Sequence, residues 1–284
     1  MKSNAILRII LYSAVLIVLI GILVCGLFFG MLSGRRSNFS FGWEDDAVVT
    51  SSGSTGADGI RQLEIDWASG SITIQPGETD SILYEETGAG QSNYQMAVSE
   101  SGGKLSIRYC KNRMMPGIGL SGNTRKDLTI TVPADWVCEE LELNVASADV
   151  DISGLTIRQV DFNGASGVCS FRGCAIDELE ADTASGDIRY TGTLNSLDCS
   201  AASASFRGVL DNCPEKIKMS SASGDLDLTL PADAGFTLDK STASGEFFSE
   251  FPTLNQNGNH ICGDGSCRIT FSAASGNVTV RKGS

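Results

Sequence analysis

Serine is the residue type whose spacing first invites a chemical reading. Eight serines sit in one small box: Ser69, Ser147, Ser166, Ser185, Ser203, Ser223, Ser244 and Ser275, each preceded by Ala. Gly follows in six boxes, at Gly70, Gly167, Gly186, Gly224, Gly245 and Gly276, and Ala in two, at Ala148 and Ala204. A nucleophilic serine of the hydrolase type needs a G-x-S-x-G elbow and a base beside it. That frame is absent, and eight near-identical serines cannot all be nucleophiles. They read as structural turn residues.

The other candidates are sparse. The one histidine, His260, lies in the polar stretch Asn257-Gly258-Asn259-His260. A metal site built on it would need Cys or carboxylate partners. Asp149, Asp151, Asp187, Asp225 and Asp227 could suit a Ca²⁺-binding β-roll, but its G-G-x-G-x-D repeat is missing. These aspartates alternate with apolar residues and read as a solvated face. There is no P-loop, dinucleotide fingerprint or H-E-x-x-H. We expect no catalytic residues, no cofactor and no metal, hence no enzyme.

Of nine cysteines, Cys25 falls in an apolar run and eight follow it. Eight permit four bridges, in 105 pairings. Cys169 and Cys199 fall at inward positions, where a thiol packs as a small hydrophobe. Cys262 and Cys267 flank Gly263-Asp264-Gly265-Ser266, and the shortness of that loop makes them the candidate disulfide. Zinc would need paired C-x₂-C units, which do not occur.

The boxes also set the architecture. From Ala146 onward the Ala-to-Ala steps are 19, 19, 18, 20, 21 and 31 residues, a period that marks stacked repeats. Apolar residues recur five and three positions before each box and four and six after it, as in Leu63, Ile65, Ile72 and Ile74. Between them lie mostly polar residues, so the period is two and the elements are half-buried strands. One strand–turn–strand unit cannot bury its apolar face alone, and stacking does so. The expected fold is all-β, a single-stack β-solenoid.

Ser221-Ala222-Ser223-Gly224-Asp225-Leu226 and Thr183-Ala184-Ser185-Gly186-Asp187-Ile188 resemble the S-A-S-G-D-I/L repeats of a bacterial putative-adhesin family. Val132-Pro133-Ala134-Asp135 and Leu230-Pro231-Ala232-Asp233 are similar to its P-A-D element. The resemblance runs from about Ile60 to Lys282. It implies a β-repeat domain outside the cell and no general reaction.

Residues 9–32 carry no charge over 24 positions. As a helix they would span about 36 Å, enough to cross a bilayer. A cleaved signal peptide has an apolar region of only about 7–15 residues. Gly30-Met31-Leu32-Ser33-Gly34 is a poor cleavage site, and Val24 argues against lipoprotein processing at Cys25. We expect one uncleaved transmembrane helix. Basic residues flank both ends, so charge does not fix its orientation.

The expected organisation is a cytoplasmic tail at 1–8, the helix at 9–32, a linker at 33–59 and the solenoid at 60–282. The solenoid is irregular over 76–132 and regular over 141–280. Ser51-Ser52-Gly53-Ser54-Thr55-Gly56 has linker composition. Phe39, Phe41 and Trp43 could anchor at lipid headgroups or dock on the domain. Lys111–Lys126 is a basic loop in an otherwise acidic segment. The last strand, ending Arg281-Lys282, reads as a charge-protected edge.

After Arg36 the chain carries 17 cations against 34 carboxylates, a net charge of −17. That excludes nucleic acid as a natural partner. The expected function is a single-pass membrane protein with its C-terminal domain extracellular. It would act as an adhesin-like or structural module on envelope proteins or surface glycans. The alternative is an accessory or sensor of an envelope stress response; a polysaccharide-acting β-helix enzyme ranks last.

Overall fold

The computed structural model describes residues 47–88, 95–109 and 125–283. Among them the one helical element is a 3-10 turn at Ala57–Gly59, and the rest is strand and turn. The chain enters through β1 (Val48–Thr50) and β2 (Ser52–Gly56). Then come β3 (Gln62–Gly77), β4 (Ser81–Thr87), β5 (Met96–Ser101), β6 (Lys104–Arg108) and β7 (Lys126–Pro133). The periodic part holds β8 (Val137–Ser153), β9 (Thr156–Ser166), β10 (Cys169–Ser185), β11 (Ile188–Ser203) and β12 (Phe206–Leu210). It continues as β13 (Lys216–Ser223), β14 (Leu226–Leu230), β15 (Phe236–Ser244) and β16 (Phe247–Ser249). A hairpin of β17 (Leu254–Gln256) and β18 (Asn259–Cys262) leads to β19 (Cys267–Ser275) and β20 (Val278–Lys282).

These strands build two parallel walls joined at the boxes. Segments before the boxes stack in the order β6–β3–β8–β9–β10–β11–β13–β19–β15. Segments after the boxes stack as β7–β3–β8–β10–β11–β12–β14–β20–β16. Long strands such as β3 and β8 pass through a box and serve both walls. At about 4.8 Å per strand, the stack is roughly 40 Å long.

Alternation decides what lies between the walls. Leu226, Leu228 and Leu230 are fully buried, as are Ile217 and Met219 on the facing wall. Asp225 and Asp227 point the other way. Phe171, Tyr190, Phe206, Phe236 and Phe271 are the largest fully buried side chains and thicken the core along the stack. Phe171 and Tyr190 pack with ring centroids 5.9 Å apart. Tyr190 is tolerable inside because its hydroxyl donates to the Thr193 carbonyl at 2.5 Å.

Spatial order departs from chain order at both ends. The final segment, β19–β20, inserts between the rung of β13–β14 and the rung of β15–β16. At the other end β6 and β7 lie outside β3, although they follow it in sequence. The last strand is therefore an interior one, hydrogen-bonded on both sides, and not the charged edge that its terminal position suggested. Arg281 there pairs with Asp227 of the adjacent rung.

Antiparallel strands close both ends. β5 pairs with β6 and β1 with β5; β4 pairs with β7 and β2 with β4. At the far end β18 pairs with β15 and β17 with β18. These caps cover edges that would otherwise template association.

The expected linker at 33–59 is corrected over its described part. Ser52–Gly56 is an edge strand in register with Ser81–Glu85. Its glycine makes room for an aromatic ring: a Cβ on Gly53 would fall 2.5 Å from the Tyr84 hydroxyl oxygen. The tail at 1–8, the span at 9–32, Phe39, Phe41, Trp43, Cys25 and Cys110 lie outside the described residues. No described helix is long and apolar enough to cross a membrane.

Candidate functional site

The boxes line up in one file along an edge of the stack. Ser69 stands opposite Ser147, and Ser147 opposite Ser166. Further along, Ser185 faces Ser203, Ser203 faces Ser223, Ser223 faces Ser275, and Ser275 faces Ser244. The Ser185 hydroxyl donates to the Ala165 carbonyl at 3.2 Å, and Ser166 to Ala146 at 3.5 Å. Such a hydroxyl ties rung to rung and is not poised beside a base.

Backbone approach explains the glycines. Gly186 has φ +122°, and a Cβ there would lie 2.0 Å from the Gly167 carbonyl oxygen. Gly70, at φ +120°, would place one 1.7 Å from the Lys126 carbonyl oxygen. Ala148 and Ala204 lack positive φ and tuck their methyls into the stack, 4% and 5% exposed. Close approach alone requires glycine at Gly276, where a Cβ would lie 2.0 Å from the Gly224 carbonyl oxygen without positive φ, and smallness suffices at Ala148 and Ala204.

A second file lies just past the boxes. The Asp149 carboxylate accepts the Val168 N–H at 3.0 Å, and the Ser205 hydroxyl accepts the Asp225 N–H at 3.1 Å. Asp225 accepts the Asn277 N–H at 2.7 Å, and Asn277 accepts the Glu246 N–H at 2.9 Å. Each side-chain oxygen caps the corner amide of the next rung, which the sheet ladder leaves unpaired. Asp149 and Asp225 are thus corner caps. The sequence signals the position, with Asp, Ser or Asn recurring three after the box alanine, but not the capping role.

Around the later boxes these files border an open polar groove of about 450 Å³. Ser203, Ser223, Ser244, Ser275, Asp225 and Asn277 are among its lining residues. Hydroxyls, backbone amides and a few carboxylates suit an uncharged polyhydroxy or peptide ligand better than an anion.

The outer face of the first wall carries a carboxylate row. Burial raises the Glu180 carboxyl above its ordinary range, and Asp161, Glu178 and Asp198 push it further. Burial also raises Asp182, against a hydrogen bond from Ser200. Asp66, at the start of the row, is raised to about 6, chiefly by burial.

One polar cluster has no counterpart in the sequence pattern. Lys126 places its ammonium 2.5 Å from Glu86 and 3.9 Å from the centre of the Tyr109 ring. Trp67 donates to the Lys126 carbonyl at 3.0 Å. Both charged side chains are almost fully buried, at 3% and 0% exposure. Lys126 and Glu86 fall where the period is lost, so no spacing links them.

The remaining candidates do not converge. His260 packs against Phe247, ring centres 4.6 Å apart and planes tilted by 46°, in the end cap. Among the described residues no three His, Cys, Asp or Glu side chains form a metal-ligand set. Cys169 and Cys199 are buried, and burial pushes the Cys199 thiol up to about 12.

Cys262 and Cys267 are not bridged to each other, and their placement on either side of β15 corrects the expected bridge. Phe236 pairs with Cys262 on one side and with Cys267 on the other. The two cysteines are therefore two strand spacings apart, about 9.6 Å. A disulfide needs Cα atoms within about 4.4–6.8 Å. The intervening loop looks short in sequence but steps across β15.

No curated protein sequence matches the chain. Solved structures of similar shape include a putative adhesin from Bacteroides fragilis NCTC 9343, with a TM-score of 0.48 and 11% identity over 84% of this chain and 98% of that one. A putative cell adhesion protein from Clostridium sporogenes ATCC 15579 has a TM-score of 0.39 and 12% identity, over 84% of this chain and all of that one. A putative lipid binding protein from Parabacteroides distasonis ATCC 8503 has a TM-score of 0.36 and 12% identity, over 82% and 96%. All three scores lie below 0.5, and the family assignment does not rest on them. The Toastrack DUF4097 family model matches residues 60–281, nearly all of the two-walled stack, and the chain belongs to that family.

Proposed function

We propose that the chain is a non-enzymatic binding or structural module of the cell envelope, held by an N-terminal membrane anchor with its stack outside the cell. The observation that carries this reading is the edge of the stack. Small residues repeat there over successive rungs and leave a straight, polar, groove-bearing face on a closed core. Such a face can present many equivalent weak contacts to an extended ligand, and avidity would sum them. The charge-free run at 9–32 and the strongly acidic remainder support an anchored domain that stays soluble beside the membrane. Surface glycans and envelope proteins are the partner classes that fit the groove chemistry.

The test uses whole cells. A strain lacking the gene should lose adhesion to glycan- or protein-coated surfaces, while an envelope-stress reporter stays at its wild-type level. Restoring the gene with Ser203, Ser223 and Ser275 replaced by Glu should fail to restore adhesion, because long charged side chains then fill the groove edge. A changed stress reporter with unchanged adhesion would instead favour the accessory or sensor reading.

A further inference from the structure

Two of the described cysteines meet at the end where the C-terminal strands insert. Cys213 lies in the corner between β12 and β13 and is half-buried. Its thiol donates to the Gly235 carbonyl at 3.3 Å. The same carbonyl accepts the Cys267 N–H at 3.0 Å and the Ser266 hydroxyl at 3.2 Å. Cys213 and Cys267 are thus gathered on one backbone oxygen. The backbone supports the same placement: Arg268 donates its N–H to the Glu215 carbonyl at 3.0 Å, which lays the start of β19 along the corner holding Cys213. Cys262 stands apart, on the far side of Phe236, with its thiol directed to the Ala234 carbonyl at 3.7 Å.

We propose that Cys213 and Cys267 are a disulfide-forming pair that staples the inserted C-terminal strand to the rung before it. The bond forms by exchange with a low-molecular-weight or protein disulfide. The half-buried Cys213, as thiolate, attacks one sulfur of that oxidant, and the other leaves as a thiol. Cys267 then gives up its proton and attacks the Cys213 sulfur of the mixed disulfide, releasing the second thiol. Two electrons and two protons pass from the protein pair to the oxidant, and one S–S bond is exchanged for another. Burial raises the Cys267 thiol, so its thiolate is scarce and the second, intramolecular step is the slower of the two. The product closes a long loop that contains the whole rung of β15–β16, so its loss of unfolded-state freedom is large.

The experiment uses the full chain, purified reduced in detergent and equilibrated at pH 8 with oxidised and reduced glutathione. Digestion without reduction, by trypsin plus a protease cutting before aspartate, separates Cys262 from Cys267 at Asp264. The expected dominant product links the Cys213 and Cys267 peptides. Oxidation should raise the melting temperature by several degrees, and Cys213→Ser should abolish both the link and the rise. Cys262→Ser should leave both in place. A dominant Cys262–Cys267 or Cys213–Cys262 link overturns the proposal. So does the absence of any link in the folded protein under conditions where the urea-unfolded chain oxidises.

Discussion

Asp225 accepts the backbone N–H of Asn277 at 2.7 Å across 52 positions of sequence. The bond joins neighbouring rungs, because the C-terminal strands slide between the rung of Asp225 and the one that follows it in the chain. The same carboxylate also accepts the Asn277 amide at 3.2 Å. Asp225→Ala removes both bonds and leaves a corner amide to water. The expected loss is about 1 kcal/mol. Asp187→Ala, which removes only an exposed pair to Arg189 at 3.8 Å, should cost at most about 0.5 kcal/mol. Urea unfolding of the two variants checks the difference, and equal losses would show that the corner cap contributes nothing special.

The strand insertion predicts how truncation acts. β19 hydrogen-bonds to β13 on one side and β15 on the other. A chain ending at Asp264 should lose amide-exchange protection across β15 and β16, although both are intact in sequence. β8 to β11 should stay protected. Retained protection in β15 would mean that its rung docks directly on β13 and that the insertion is dispensable.

The two faces of one strand should respond in opposite ways. Leu226 is fully buried, whereas Asp227 lies outside and pairs with Arg281. Leu226→Asp places a carboxylate in the core at a cost of several kcal/mol and should unfold or fray the stack. Asp227→Leu should stay folded, losing about 1 kcal/mol or less with the exposed pair. Circular dichroism melts distinguish the two, and similar midpoints would mean the register is wrong.

At the corners, Gly186→Ala forces a side chain into left-handed backbone and into the Gly167 carbonyl. A loss of about 2 kcal/mol or more follows from the backbone conformation and the clash together. Ala204→Gly relieves nothing and should cost about 1 kcal/mol or less. If Gly186→Ala melts with the wild type, the corners are looser than the contact implies.

The periodic half was legible because one rule fixes it: apolar residues five and three before the box and four and six after it. That rule also marks the end rung. Lys240 and Ser249 replace apolar residues at inward positions, and Lys240 turns to donate to the Gly245 carbonyl at 2.8 Å. Read that way, the rung of β15–β16 declares itself the terminal one, and the insertion of β19–β20 could have been inferred. The Glu86–Lys126 pair could not, since it joins strands outside the period. Nor could the file of corner caps be told from a merely solvated face, because both call for polar residues. The expected disulfide failed for a related reason: loop length says nothing about a strand lying between its two ends.

Asp66 gives the fold a pH dependence of definite sign. Its carboxyl accepts from Asn144 at 2.9 Å and pairs with Arg108 at 3.4 Å, with Glu64 and Glu142 close by. Burial outweighs both favourable contacts, and the carboxyl is raised from 3.8 to about 6. The folded state therefore takes up a proton at higher pH than the unfolded chain does. Stability from this group rises as pH falls through about 6 and is complete below about 4, a gain on the order of 3 kcal/mol. Burial raises Glu86, Glu180 and Asp182 in the same direction, so melting at pH 5 should exceed melting at pH 7.5. Asp66→Asn removes the buried charge but keeps an oxygen for Asn144. It should flatten the curve between pH 4 and 6 and leave the melting temperature at pH 7.5 unchanged or higher. A drop at pH 7.5 with the wild-type slope retained would show that the Arg108 pair outweighs burial and that the shift has the opposite sign.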